Sequence, residues 1–196
     1  PVSGSDGPYK FEFGEIEVPD FYIAKYLITH EQYAAFAEGG DYENERWWQR
    51  FPQDYQPQEL DNATNGNRNA PRDTISWYQS VAFARWLDAQ YRENGLFEKV
   101  IVGTRNGASA LNPNDWQIRL PTEWEWQWAA QAGQAARKYP WGEWDDHPRA
   151  NTTEAGIQDR STAVGMYPHG AATCGALDLS GNLREWCQNE YKEWHV

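Results

Sequence analysis

The 196-residue chain has little of several things, and each shortage excludes a class of protein. Cysteine occurs twice, at Cys174 and Cys187, too few for a disulfide framework. His30, His147, His169 and His195 are the four histidines, with no pair at the i, i+4 spacing of a helical metal motif. Basic residues number 17 against 29 acidic ones, a formal charge of -12, which argues against nucleic acid or anionic lipid as the main partner. No apolar run approaches the roughly 20 residues that span a bilayer. The opening PVSGSDGPYK has neither the basic nor the apolar region of a secretory signal, so the reading is cytoplasmic, with no membrane partner. No fixed-period repeat, low-complexity tract or linker is visible, which points to one domain over 1–196.

Aromatic residues are what the chain has in excess. Twelve tryptophans and eleven tyrosines accompany a mean hydropathy of -0.89. A core of few, large, amphipathic side chains follows, and their N–H and O–H groups need partners when buried. The expectation is a loop-rich α+β chain with low regular secondary structure, tied together by side-chain hydrogen bonds. Trp47, Trp48, Trp141 and Trp144 fall in loops and are candidate contacts for a protein or small-molecule ligand; the competing reading is that they plug the core.

Local grammar places the elements. Phe11 and Phe13, then Ile16, Val18, Phe21 and Ile23, predict two short strands around a turn at Pro19-Asp20. Three capping-box patterns, Thr29 with Gln32, Ser76 with Gln79 and Thr122 with Glu125, each precede a helical run closed by glycine at Gly39, Gly95 and Gly133. In the second run, Trp77, Val81, Ala84, Leu87 and Tyr91 recur at helical spacing. Residues 41–75 and 139 onward read as loop, and VIVGTRNGASALNPNDW as a brief apolar run followed by an irregular loop.

The densest chemistry lies in GALDLSGNLREWCQNEY, residues 175–191. Asp178 and Glu185 stand seven positions apart, with Gly181 between them to permit a tight bend. Turn formers and carboxylates pinned by Leu177, Leu179, Leu183 and Trp186 suggest oxygens converging on a hard cation. The competing reading is that Asp178 and Glu185 cap turns and accept hydrogen bonds from Asn182 or Arg184. Glu123 with Glu125, and Asp145 with Asp146, are adjacent carboxylates, but a capping role and a solvated turn account for them better than acid–base catalysis. The two cysteines flank the loop, thirteen positions apart, and read as structural thiols whose pairing spacing alone does not decide.

Taken in order, IAKYLITHEQYAAF, ISWYQSVAFARWL, RLPTEWEWQWAAQAG, YPWGEW, TAVGMYP and GALDLSGNLREW resemble the formylglycine-generating enzyme/sulfatase-modifying factor family over most of the chain. The resemblance implies a variant of the C-type lectin fold with metal-stabilised loops. It implies structural calcium held by Asp178, Glu185 and the carbonyls of Gly181 and Leu183, where the family commonly has Asn in place of Asp178. A second calcium site maps onto ANTTEAGIQD through Asn151 and the carbonyls of Thr152 and Ile157; the family's acidic ligand there falls near Ala155, leaving Glu154 or Asp159 as substitutes. The family's copper-dependent oxidases use a cysteine pair beyond an arginine-glycine-glycine-serine-tryptophan segment, which does not occur in these residues. The expectation is thus a domain lacking that C-terminal segment, with no catalytic residue and no copper or iron site of its own. Its role would be calcium-stabilised ligand recognition, as in retroelement-diversified or conflict-system binding proteins, within a larger multidomain protein or alone. The alternative is a catalytic member, a formylglycine-generating oxidase or a non-haem iron oxidoreductase, whose active residues lie outside these.

Overall fold

Three helices begin where their caps dictate. α1 (His30–Ala37), α2 (Trp77–Glu93) and α3 (Glu123–Gln131) each start after an extended Thr29, Ser76 or Thr122. In every case the hydroxyl oxygen accepts the N3 backbone N–H, and the N3 side chain accepts the N-cap N–H in return. α3 ends through a left-handed Ala132 at φ 50° followed by Gly133 at φ 71°. The computed structural model describes all residues except 12–13, 56, 58, 100, 105–106, 111, 113, 154–159 and 190–196, and only the backbone of 11, 55, 101–104 and 107–110.

Strands are short. β1 (Tyr9–Phe11) pairs antiparallel with β2 (Gly14–Ile16), and β3 (Ile101–Thr104) with β4 (Gly107–Ala110). The first hairpin lies upstream of the expected position. Val18 and Phe21 do flank Pro19-Asp20, but both bond the N-terminal segment: Phe21 bridges Val2, and the Val18 carbonyl accepts from Ser5 N–H. Val2 is a lone apolar residue there, so periodicity could not reveal the partner. The second hairpin replaces part of the expected irregular loop; Asn106-Gly107, a hairpin dipeptide, was the overlooked signal.

The α1–α2 cluster is aromatic. Phe36, at 0% exposure, contacts Tyr42, Phe83 and Trp86, with ring centroids 5.3 to 6.0 Å apart. α2 buries Ala82, Phe83, Trp86 and Ala89, whereas Val81, Leu87 and Tyr91 of the expected face are only partly buried. Spacing counts apolar positions equally, but the two largest rings set the orientation. Trp47 and Trp48 belong to this cluster, 4% and 0% exposed, with Trp48 Nε1 donating to the Tyr42 carbonyl at 2.7 Å. They fill the core and offer no ligand surface.

A second cluster joins the N-terminal segment and α3 to the C-terminal loop through Val2, Val18, Phe21, Ala129, Ala130, Ala172, Ala176 and Leu179. Two indoles clasp the ends of the loop region to α2: Trp77 Nε1 donates to the Cys187 carbonyl at 2.8 Å, and Trp186 Nε1 to the Ile75 carbonyl at 3.0 Å. Among the described residues no helix is long and apolar enough to cross a membrane.

Ser76→Ala and Thr122→Ala should each cost about 1 kcal/mol in urea unfolding. Combining either with loss of its Gln79 or Glu125 partner should cost less than the sum, because each box acts as a unit.

Candidate metal centre

The loop predicted to gather oxygens is held open by left-handed backbone. Asp178 at φ 63° and Asn182 at φ 61° sit where Asn and Asp are tolerated best among side-chain-bearing residues. The same preference explains why an Asn–Asp exchange at position 178 keeps the turn. Gly181, at φ 89°, packs against the neighbouring segment so closely that a Cβ would stand 2.6 Å from the Asn151 carbonyl oxygen. The bend therefore requires glycine for conformation and for space.

Asn182 ties the two predicted ligand segments together. Its backbone N–H donates to the Asn151 carbonyl at 2.9 Å, and its Oδ1 accepts from Thr162 N–H at 2.9 Å and Asn151 Nδ2 at 3.3 Å. Asn151 Nδ2 also donates to the Arg160 carbonyl at 2.8 Å, which commits the amide nitrogen and leaves Oδ1 as the atom for a cation. Asn151, at 8% exposure, and Thr152 thus adjoin Gly181, while Leu183 is partly buried. Ile157, with Glu154 and Asp159, lies outside the described residues.

The electrostatics of the two carboxyls agree with a cation in the loop. Asp178 is 7% exposed, and its Oδ2 is buried without a hydrogen-bond partner. Burial raises its pKa, with the Asn182 side chain and the Gly165 N–H opposing. Glu185 is pushed up to about 7 by burial, against a hydrogen bond from Trp126 Nε1 at 3.1 Å and with a further upward push from Asp178. Among the described residues neither carboxyl pairs with lysine or arginine, and Arg184 is exposed. Two adjacent desolvated carboxyls without a counter-charge are costly as anions unless a cation joins them. No group of three or more His, Cys, Asp and Glu gathers among the described residues, so a cation here would draw on carbonyls as well, a donor set that suits calcium. Trp126 is a participant that sequence reasoning missed; the signal was a tryptophan one residue past the cap partner on α3, whose indole N–H needs an acceptor.

The other candidates are accounted for structurally. Burial works to raise the Glu125 pKa, but Arg119, bidentate at 2.8 and 2.7 Å, and the Thr122 cap outweigh it and hold the carboxylate ionised. Cys174 and Cys187 are free, and Cys187 is pushed up to about 11 by burial and by Glu185, Glu123 and Glu125, so it stays a thiol. Trp141 stacks on Tyr139 with centroids 5.2 Å apart, and Trp144, 37% exposed, packs edge-on against both. Beside them runs a groove of about 390 Å³ lined by Gln134, Arg137, Lys138, Trp141 and Glu143.

In metal-free protein the raised Glu185 pKa has a defined sign. The folded value of about 7 exceeds the ordinary 4.5, so the stability it contributes is complete below 4.5 and lost as pH rises through 7. Chelated protein should lose on the order of 1–3 kcal/mol across that window. Glu185→Gln, which stays neutral, should flatten it in unfolding measured at a series of pH values.

The sequence profile of the sulfatase-modifying factor enzyme 1-like domain matches residues 7–196. Hercynine oxygenase of Mycolicibacterium thermoresistibile is 26% identical over 218 residues, covering 98% of this chain and 42% of its own length. The inactive C-alpha-formylglycine-generating enzyme 2 of Mus musculus is 28% identical, covering 91% of this chain and 61% of its own. The formylglycine-generating enzyme of Thermomonospora curvata is 24% identical, covering 98% and 70%. The chain thus spans about two fifths of the length of the hercynine oxygenases it matches. The crystal structure of CarF is similar in fold, with a TM-score of 0.63 and 22% identity over 97% of this chain and 79% of that one. With the family profile matched over residues 7–196, the chain belongs to the sulfatase-modifying factor enzyme 1-like domain family and has its α+β formylglycine-generating-enzyme type of fold.

Proposed function

We propose that this is a calcium-stabilised recognition domain, built as a variant of the C-type lectin fold, whose cation organises loops and takes no part in chemistry. The observation that carries the reading is the pair Asp178 and Glu185, desolvated together with one carboxyl oxygen unpartnered and, among the described residues, no basic side chain paired with them. Asp178 and Glu185 would supply the charged oxygens and Gly181 and Leu183 the carbonyls. Asn151 and Thr152, with Ile157, would serve a second site, joined to the first through Asn182. Bound there, calcium would neutralise the carboxylates and draw their oxygens and the carbonyls to one centre. What the chain does is hold Glu185 through Trp126 and bend at Gly181.

The recognition role draws its support from the exposed Trp144 edge, the Tyr139–Trp141 stack and the adjoining groove, an aromatic and polar surface of the kind that anchors ligands. A Cys187 thiol held protonated supplies no nucleophile. A retroelement-diversified or conflict-system protein is one setting for such a domain. A second reading is favoured by the hercynine oxygenase matches, which cover nearly all of this chain but less than half of those proteins. In it, the domain forms one part of a longer oxidoreductase whose reacting centre lies on residues other than these.

Chelation should lower the melting temperature and calcium restore it, by linkage of binding to the folded state. Magnesium should restore less, because it resists irregular carbonyl-rich coordination. Asp178→Ala and Glu185→Ala should each diminish the calcium response, leaving at most the part the second site carries; an undiminished calcium response in both would remove the site. These residues should also leave the cysteine of a sulfatase-type peptide unconverted to formylglycine with copper supplied, as read by mass spectrometry. Conversion that disappears on Cys187→Ser would overturn the recognition reading.

A further inference from the structure

Away from the carboxylate loop, the fold sets His147 beside His169, with ring centroids 5.3 Å apart and planes inclined at 48°. The two come from separate turns, and the approach of those turns is built in. A Cβ at position 170 would stand 1.8 Å from the Arg149 carbonyl oxygen, so Gly170 admits the other backbone where any side chain would exclude it. Arg149 fastens both turns. Its guanidinium holds the Asp145 carboxylate through Nε at 2.7 Å and through Nη2, and its Nη1 donates to the main-chain carbonyl of His169.

The same carboxylate orients one of the rings. Asp145 Oδ1 lies 3.3 Å from His147 Nδ1 and accepts the His147 backbone N–H at 3.0 Å. A carboxylate near Nδ1 favours the neutral tautomer with its proton there, which leaves the Nε2 lone pair for another partner, the arrangement that prepares a histidine for a metal. The His147 side chain is 61% exposed and His169 is exposed, so an ion from solvent reaches both.

We propose that His147 and His169 form a two-imidazole site for a borderline divalent ion, Zn²⁺ or Cu²⁺, with Asp145 as the outer partner of His147 and water completing the coordination. Imidazole suits these ions. Two nitrogens about 2.0–2.1 Å from one tetrahedral ion stand roughly 3.3 Å apart, which puts the ring centres about 5–6 Å apart. The observed 5.3 Å falls in that range. No third His, Cys, Asp or Glu joins the pair among the described residues, so the site is open and exchangeable. A bound ion would staple the 145–149 turn to the 168–170 turn independently of the calcium loop.

The test uses untagged, calcium-saturated protein. Calorimetric titration with Zn²⁺ should show a site that His147→Ala and His169→Ala each weaken by at least roughly tenfold, the loss that even an outer partner of a ligating histidine typically causes. Asp145→Asn should weaken it while both rings remain. The electron paramagnetic resonance spectrum of Cu²⁺ added at one ion per chain should show two imidazole nitrogens in the parent and one in either histidine variant. Both histidine variants should melt like the parent without Zn²⁺ and fail to gain the shift that Zn²⁺ gives the parent. Unchanged Zn²⁺ affinity in either variant, or a single nitrogen in the parent spectrum, would overturn the proposal.

Discussion

The contact on which the C-terminal half depends is the one between Asn182 and Asn151. One asparagine side chain, in left-handed backbone, bonds Thr162 on both its oxygen and nitrogen sides while its main chain pairs with Asn151. Three loops that have no strand to share thereby acquire a common hydrogen-bonded centre. An unpartnered amide there would cost more than the bond itself contributes, which is why such junctions specify a unique loop arrangement. The two carboxyls sit on this frame, and their burial follows from its rigidity.

Elsewhere the same problem, backbone polar groups left over in a strand-poor fold, is met by indoles. Trp48, Trp77, Trp126, Trp128 and Trp186 each donate a ring N–H to a protein oxygen, four of them to a main-chain carbonyl. The tryptophan excess is therefore both core volume and wiring. That double use explains how a chain of strongly negative mean hydropathy still buries a sizeable core.

Helix starts were legible because a capping box is a local, four-residue event, and Thr29, Ser76 and Thr122 behave alike. The partner of Phe21 was less legible, because Val2 is a single apolar residue that no periodicity isolates. Trp47 and Trp48 were ambiguous for a related reason: loop position suggests exposure, whereas packing into the α1–α2 aromatic cluster decides burial. In the metal centre, Asp178, Gly181 and Glu185 stood out through turn chemistry close in sequence. Trp126 did not, since its tie to Glu185 joins residues 59 positions apart. The His147–His169 pair was hidden likewise, being set by the Gly170–Arg149 approach and by no spacing rule.

The clasp of Trp77 on Cys187 and Trp186 on Ile75 has a consequence for the order of events during synthesis. The two bonds join residues 110 and 111 positions apart, whereas the aromatic cluster of α1 and α2 is complete once the chain has passed position 89. At about 5–20 residues per second, the ribosome makes the partners of Ile75 and Trp77 roughly 5–20 s after those residues themselves. During that interval the first helical cluster can consolidate, while the Ile75 carbonyl and the Trp77 indole stay with water. The loop that carries Trp186 and Cys187 arrives after the helices and closes onto a surface already formed, so slow codons in its coding region would act on the clasp and spare the helices.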